Sequence, residues 1–134
     1  MSTHRIHSSI PAATIDTAER NLRAVLSLAI GYSGAEKALV IWDGRSDLAL
    51  ALTEAYRRCL PGATFLEFDG AAPGIVLAAL ESLAPRDLVV LVQSTSFRLD
   101  TFRFRVELFK RSLKVIEHPH LARMSGEESV IYVD

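Results

Sequence analysis

Two short polar stretches carry the side chains in this sequence best suited to holding a charged ligand: Asp43-Gly44-Arg45-Ser46 and Gln93-Ser94-Thr95-Ser96. Together they offer an arginine, a run of three hydroxyls and a helix start at Ser46. Guanidinium and hydroxyl groups donate hydrogen bonds, and a helix N-terminus presents unpaired N–H groups, so such a set holds a carboxylate or phosphate. Each residue also has a structural reading: Ser46 as a helix cap, residues 94–96 satisfying loop backbone, Asp43 and Arg45 solvated. The sequence has neither G-x-G-x-x-G nor a Walker A lysine, so the site reading depends on where the fold puts these loops.

His118 and His120 are a second candidate. Residues two apart on an extended segment point the same way, and the pair holds Zn²⁺ if Glu117 or a distant carboxylate joins it. No other His, Cys or acidic group stands at ligand spacing, and His4 and His7 lie near the N-terminus. The alternative is a polar loop with its turn fixed by Pro119. Cys59 falls on an apolar helical face and reads as an inert core thiol rather than a nucleophile. No Ser or Cys sits on a nucleophile elbow. Asp43 and Asp69, each closing an apolar run, suggest a phosphoacceptor of the receiver type. That arrangement needs a lysine after the last strand, where Glu117-His118-Pro119-His120 stands, and the reading fails.

Arg98, Arg103, Arg105, Lys110 and Arg111 make one later segment basic. Glu107 lies four residues from both Arg103 and Arg111, which gives helix-face ion pairs and a solvated face or domain contact. With a net charge of -1 over 134 residues, the chain has no field to draw it to nucleic acid or to a membrane surface. Apolar residues make up 49% of it, as a folded domain requires. No run approaches the roughly 18 apolar residues of a membrane helix. One cysteine permits no internal disulfide and fits a reducing, cytoplasmic compartment.

The elements that position these groups alternate in period. Residues 1–13 read as an irregular tail and 14–134 as one α/β domain. Asp16 and Glu19 have capping-box spacing, ahead of a helical face of Ala18, Leu22, Val25, Leu26 and Ala29 that stops at Gly31 and Gly34. Residues 37–43 form an apolar run without alternation, the mark of a strand buried on both faces. Ser46 caps a helix with Leu48, Leu52, Ala55 and Cys59 inward, ended by Leu60-Pro61-Gly62. A second strand over 64–68 contains a charge and suits an edge. Pro73 opens a third helix with Ile75, Val76, Ala79, Leu80 and Leu83 in one stripe. Residues 87–92 are the most apolar strand. A fourth helix (Phe102, Val106, Phe109, Leu113) and a fourth strand over 114–117 follow. Ser125 and Glu128 cap a fifth helix that meets the last residue, Asp134, after about two turns; the chain is therefore read as the N-terminal part of a longer protein.

Strands alternating with helices imply right-handed crossovers and a parallel sheet. The expected fold is an open, doubly wound four-stranded α/β sheet of Rossmann/flavodoxin-like type, in the order 2-1-3-4. The order reverses between strands 1 and 3, and ligands bind beyond the carboxyl ends of strands at such a point. The two loops there are 43–46 and 93–96, which makes Asp43, Arg45, Ser46, Ser94, Thr95 and Ser96 the candidate ligand residues.

The later elements also carry a resemblance. Strand 3 leads into Ser94-Thr95-Ser96, then the basic helix Phe102-Arg-Phe-Arg-Val-Glu-Leu-Phe-Lys-Arg111. Next come Val115-Ile-Glu-His-Pro-His-Leu-Ala-Arg-Met124 and Ser125-Gly-Glu-Glu128. This order resembles the N-terminal domain of the aminopeptidase T (thermophilic leucyl aminopeptidase) family over roughly residues 16–134. The resemblance implies a non-catalytic domain that helps enclose an active-site cavity and forms dimer contacts. Its two-metal peptidase site, of Zn or Co type, would lie in a C-terminal domain. No residue here matches those ligands, so no catalytic residue and no cofactor is assigned to this segment. Ring-cleaving dioxygenases acting on dihydroxypyridines share that architecture. Trp42-Asp-Gly-Arg45 has no counterpart in the pattern.

Three readings follow: a non-catalytic domain of a metallo-aminopeptidase-like, homo-oligomeric protein; a stand-alone module binding a small anion at the switch point; and an interaction domain using the basic helix.

Overall fold

Pro11 sets where the first helix begins. Its extended backbone, φ −60° and ψ 149°, places it as the cap of α1, Ala12–Ala24. Its carbonyl accepts from the Thr14 and Ile15 N–H groups at 2.9 and 3.2 Å. The helix therefore starts inside the tail expected over 1–13. It also corrects the capping-box expectation, because Asp16 and Glu19 both lie within α1. Asp16 instead takes Arg58 Nη1 at 2.6 Å, and Glu19 takes Arg23 one turn later at 2.6 Å. The computed structural model describes residues 11–94 and 112–118.

α1 runs into a π-helical segment, Val25–Ile30, closed by Gly31 at φ 69°. A wider turn rotates successive side chains away from the 3.6-residue face. Leu26 stays in the core, while Val25 is 39% and Leu28 85% exposed. The expected place of Val25 on the inward face is thereby corrected.

The remaining elements are β1 (Ala38–Trp42), α2 (Asp47–Cys59), β2 (Thr64–Glu67), α3 (Pro73–Glu81), β3 (Leu88–Val92) and β4 (Lys114–His118). All strand pairs are parallel, in the order β2-β1-β3-β4, with Val40 registered between Phe65 and Val90. The α/β fold and strand order are those the sequence implies. The central strands lack alternation because both faces are covered. Val40, Leu88 and Val90 pack with α1 and α2, whereas Leu39, Ile41, Val89 and Leu91 pack with Val76 and Leu80 of α3. β2 is an edge strand with Thr64 and Glu67 exposed. Arg57 of α2 lies over the Trp42 and Phe65 rings, at 5.4 and 5.3 Å from their centroids.

Two further expectations change. Ile75 is 55% exposed, so the inward stripe of α3 is narrower than its apolar sequence suggests. Cys59 is half-buried rather than enclosed; its thiol donates to the Glu19 carbonyl, and burial pushes its pKa up. The basic fourth helix, the fifth helix, Thr95, Ser96 and His120 lie outside the described residues. Among the described residues, no helix is long and apolar enough to cross a membrane.

At the amino ends of the strands, Asp87 joins two connections. Its Oδ1 accepts from Lys37 N–H at 3.1 Å and its Oδ2 from Ala84 N–H at 2.8 Å. These bonds fix the approach to β1 against the approach to β3. Glu36 binds Ser33 N–H and Oγ through Oε1, and Lys114 Nζ through Oε2 at 3.0 Å.

Candidate functional site: the switch point at the carboxyl ends of β1 and β3

β1 and β3 are adjacent in the sheet. The residue after β1 is Asp43, whose N–H donates to the Val92 carbonyl at 3.2 Å. Its side chain turns into the gap between the two loops and is 1% exposed. Oδ1 accepts from Arg45 N–H at 3.0 Å and Oδ2 from Ser94 N–H at 2.7 Å. A buried carboxylate is costly unless donors surround it, and here both oxygens meet backbone N–H groups. Asp43 is therefore not solvated, contrary to the structural reading the sequence suggests for it.

Ser46 begins α2 from an extended backbone, φ −138° and ψ 155°, and its Oγ accepts from Ala49 N–H at 3.2 Å. The same hydroxyl lies 2.8 Å from Ser94 Oγ. The N-cap and the loop after β3 are thus joined through side chains as well as through Asp43. Ser94 is buried at 1% exposure.

Arg45 points outward, with its side chain 54% exposed. Its guanidinium forms a two-pronged pair with Asp69, Nε to Oδ2 at 2.9 Å and Nη2 to Oδ1. That carboxylate holds the guanidinium pKa above its ordinary value. Asp69 follows β2, so the pair spans the mouth between the β1 and β2 loops. An anion reaching Arg45 has to share or replace a carboxylate already seated there.

Of the sequence candidates, the structure brings Asp43, Arg45, Ser46 and Ser94 together at the switch point. It also adds a pair the sequence did not single out. Tyr56, on the third turn of α2, is fully buried and places Oη 2.6 Å from His118 Nε2, the rings meeting edge-on with centroids 5.6 Å apart. Burial pushes the His118 pKa down to about 4, which keeps the imidazole neutral at pH 7. With Tyr56 as donor to Nε2, the ring proton sits on Nδ1. The His118 carbonyl accepts from Gln93 N–H at 3.0 Å, linking β4 to the switch-point loop. The usable signal for Tyr56 was its place beside Ala55 on the inward face of α2, since a buried phenol needs a hydrogen-bond partner.

One of the two ring nitrogens of His118, Nε2, is thus engaged by Tyr56. Among the described residues, no group of three His, Cys, Asp or Glu side chains is placed to hold a metal ion. His120, the other half of the sequence candidate, lies outside the described residues. The switch point is a set of donors and acceptors facing one another: a carboxylate on two amides, a hydroxyl pair, a guanidinium on a carboxylate. Such an arrangement holds loops in register. No protein-family model matches the sequence, and no curated protein or solved structure is significantly similar to it.

Proposed function

We propose that this chain is a non-catalytic α/β domain of a metal-dependent aminopeptidase-like protein, forming one wall of its active-site cavity and contributing dimer contacts. The observation that carries the non-catalytic part is the closure of the switch point by its own hydrogen bonds, with Asp43 bound to Ser94 and Arg45 amides. A loop pair fixed in this way presents a rigid surface to a neighbouring domain. The order of elements after β3 carries the family part. In this reading the metal ligands belong to a separate C-terminal domain and none to this segment, and a related dioxygenase remains the variant that shares the architecture.

The test is turnover of amino-acid p-nitroanilides with added Zn²⁺ or Co²⁺, comparing this chain with the product of the full gene. Activity confined to the full product and abolished by EDTA supports the reading. Turnover by this chain alone, or a gene that ends at Asp134 and yields no activity, overturns it. Oligomer mass with and without Arg103→Glu plus Arg111→Glu tests the third reading, the interaction domain using the basic helix: a mass the double substitution leaves unchanged removes it.

One observation favours a second reading, the stand-alone anion-binding module: Arg45 is exposed beside the Ser46 cap. It requires Arg45→Ala to weaken inorganic phosphate binding about ten-fold, or about 1.4 kcal/mol. Unchanged phosphate affinity removes it.

A further inference from the structure

At the end of the sheet away from the switch point, a cavity of about 450 Å³ opens between the starts of β1 and β2 and the end of α3. That volume falls in the range of small-molecule sites, which combine apolar walls with a few placed polar groups. Ala79 and Leu83, both partly exposed, contribute the apolar wall, and Tyr32, Lys37, Thr64 and Ser82 contribute polar groups.

Most of those polar groups are already engaged. Tyr32 Oη donates to the Glu36 carbonyl at 3.3 Å, and Ser82 Oγ to the Ala79 carbonyl at 2.6 Å. Burial, with Glu36 and Asp87 nearby, raises the Tyr32 pKa and keeps it a neutral phenol. Glu36 also lines the cavity, but its carboxylate is held down to about 2 by Ser33 and Lys114 and is a paired anion. Lys37 and Thr64 are different: both are exposed, and among the described residues neither side chain has a hydrogen-bond or ion-pair partner.

We infer that this cavity binds a small monoanion with an apolar body, a carboxylate of medium-chain acyl or aryl size. The apolar body packs on Ala79 and Leu83, and the carboxylate accepts from the Lys37 ammonium and the Thr64 hydroxyl. The inference stands independently of the proposed scaffold role, because it uses the opposite end of the sheet.

The experiment is a titration of the purified chain with octanoate, 1-octanol and acetate, followed by backbone amide chemical shifts. Octanoate is expected to shift amides at 37–39, 62–64 and 82–83 saturably, with about ten-fold higher affinity than octanol or acetate. Lys37→Gln should reduce octanoate to the affinity of octanol. Ser82→Trp, at an exposed rim position, should abolish binding of both while the thermal melt remains cooperative. Absence of saturable shifts at those residues overturns the inference. So does octanoate binding that Lys37→Gln or a folded Ser82→Trp leaves unchanged.

Discussion

At the carboxyl ends of β1 and β3, Asp43 reaches from the loop of one strand to the loop of the other; at the amino ends of the same strands, Asp87 does the same. Each carboxylate accepts one N–H from its own connection and one from the neighbour's. Adjacent parallel strands joined by distant crossovers have no hairpin to fix their ends, and a buried acceptor supplies that fixation. The ends differ in what surrounds the clamp. At the carboxyl end Ser46, Ser94 and Arg45 close on protein partners. At the amino end Lys37 and Thr64 stand at an open cavity. Position at a switch point thus identifies where a ligand site is permitted, while the partners already present decide whether it is available.

The comparison is most exposed to loss of the clamps. Asp43→Ala strands the buried Ser94 N–H and frees the Arg45 N–H, and should destabilise the chain by about 3 kcal/mol, read by urea unfolding. Asp87→Ala strands Lys37 and Ala84 N–H groups in a less enclosed place, so about 2 kcal/mol is expected. A larger effect at Asp87 than at Asp43 would reverse the ranking of the two ends.

Tyr56→Phe removes the donor to His118 Nε2 and should cost about 1 kcal/mol. The same pair separates the ends by pH. His118 has its folded pKa lowered to about 4, against an ordinary value of 6.5, so the unfolded chain takes up the proton first. Stability from this group is complete above pH 6.5 and is lost as pH falls toward 4. Glu36, lowered to about 2 from 4.5 at the amino end, acts in a more acidic window: its contribution is present above pH 4.5 and lost toward 2. His118→Gln should flatten the stability profile between pH 6.5 and 4 and leave the lower window intact. The smallest effect is expected for Arg45→Ala, whose urea midpoint should stay close to that of the parent chain because the Asp69 pair is exposed.

Much of the fold was legible because burial on both faces suppresses alternation: residues 37–43 and 87–92 read as central strands, and the charge in 64–68 marked an edge. Helix starts were less legible. Asp16 and Glu19 have the spacing of a capping box, yet a proline five residues earlier had already fixed the start of α1, leaving both carboxylates for Arg58 and Arg23. The π-helical turn that exposes Val25 has no period to betray it. At the site, residue types and loops were readable, but partners were not. Asp43 and Ser94 are 51 positions apart and Tyr56 and His118 are 62 apart. Nothing local in the sequence distinguishes a carboxylate aimed at a distant amide from one aimed at solvent.

Whether the switch point is closed by its own hydrogen bonds is decided by amide hydrogen exchange at Ser94, with inorganic phosphate absent and present. A closed switch point gives protection in the class of the β3 core without phosphate, no change on adding it, and loss of protection in Asp43→Ala. A Ser94 amide that exchanges freely in the native chain and becomes protected as phosphate is titrated would contradict it, and would make the switch point a ligand site.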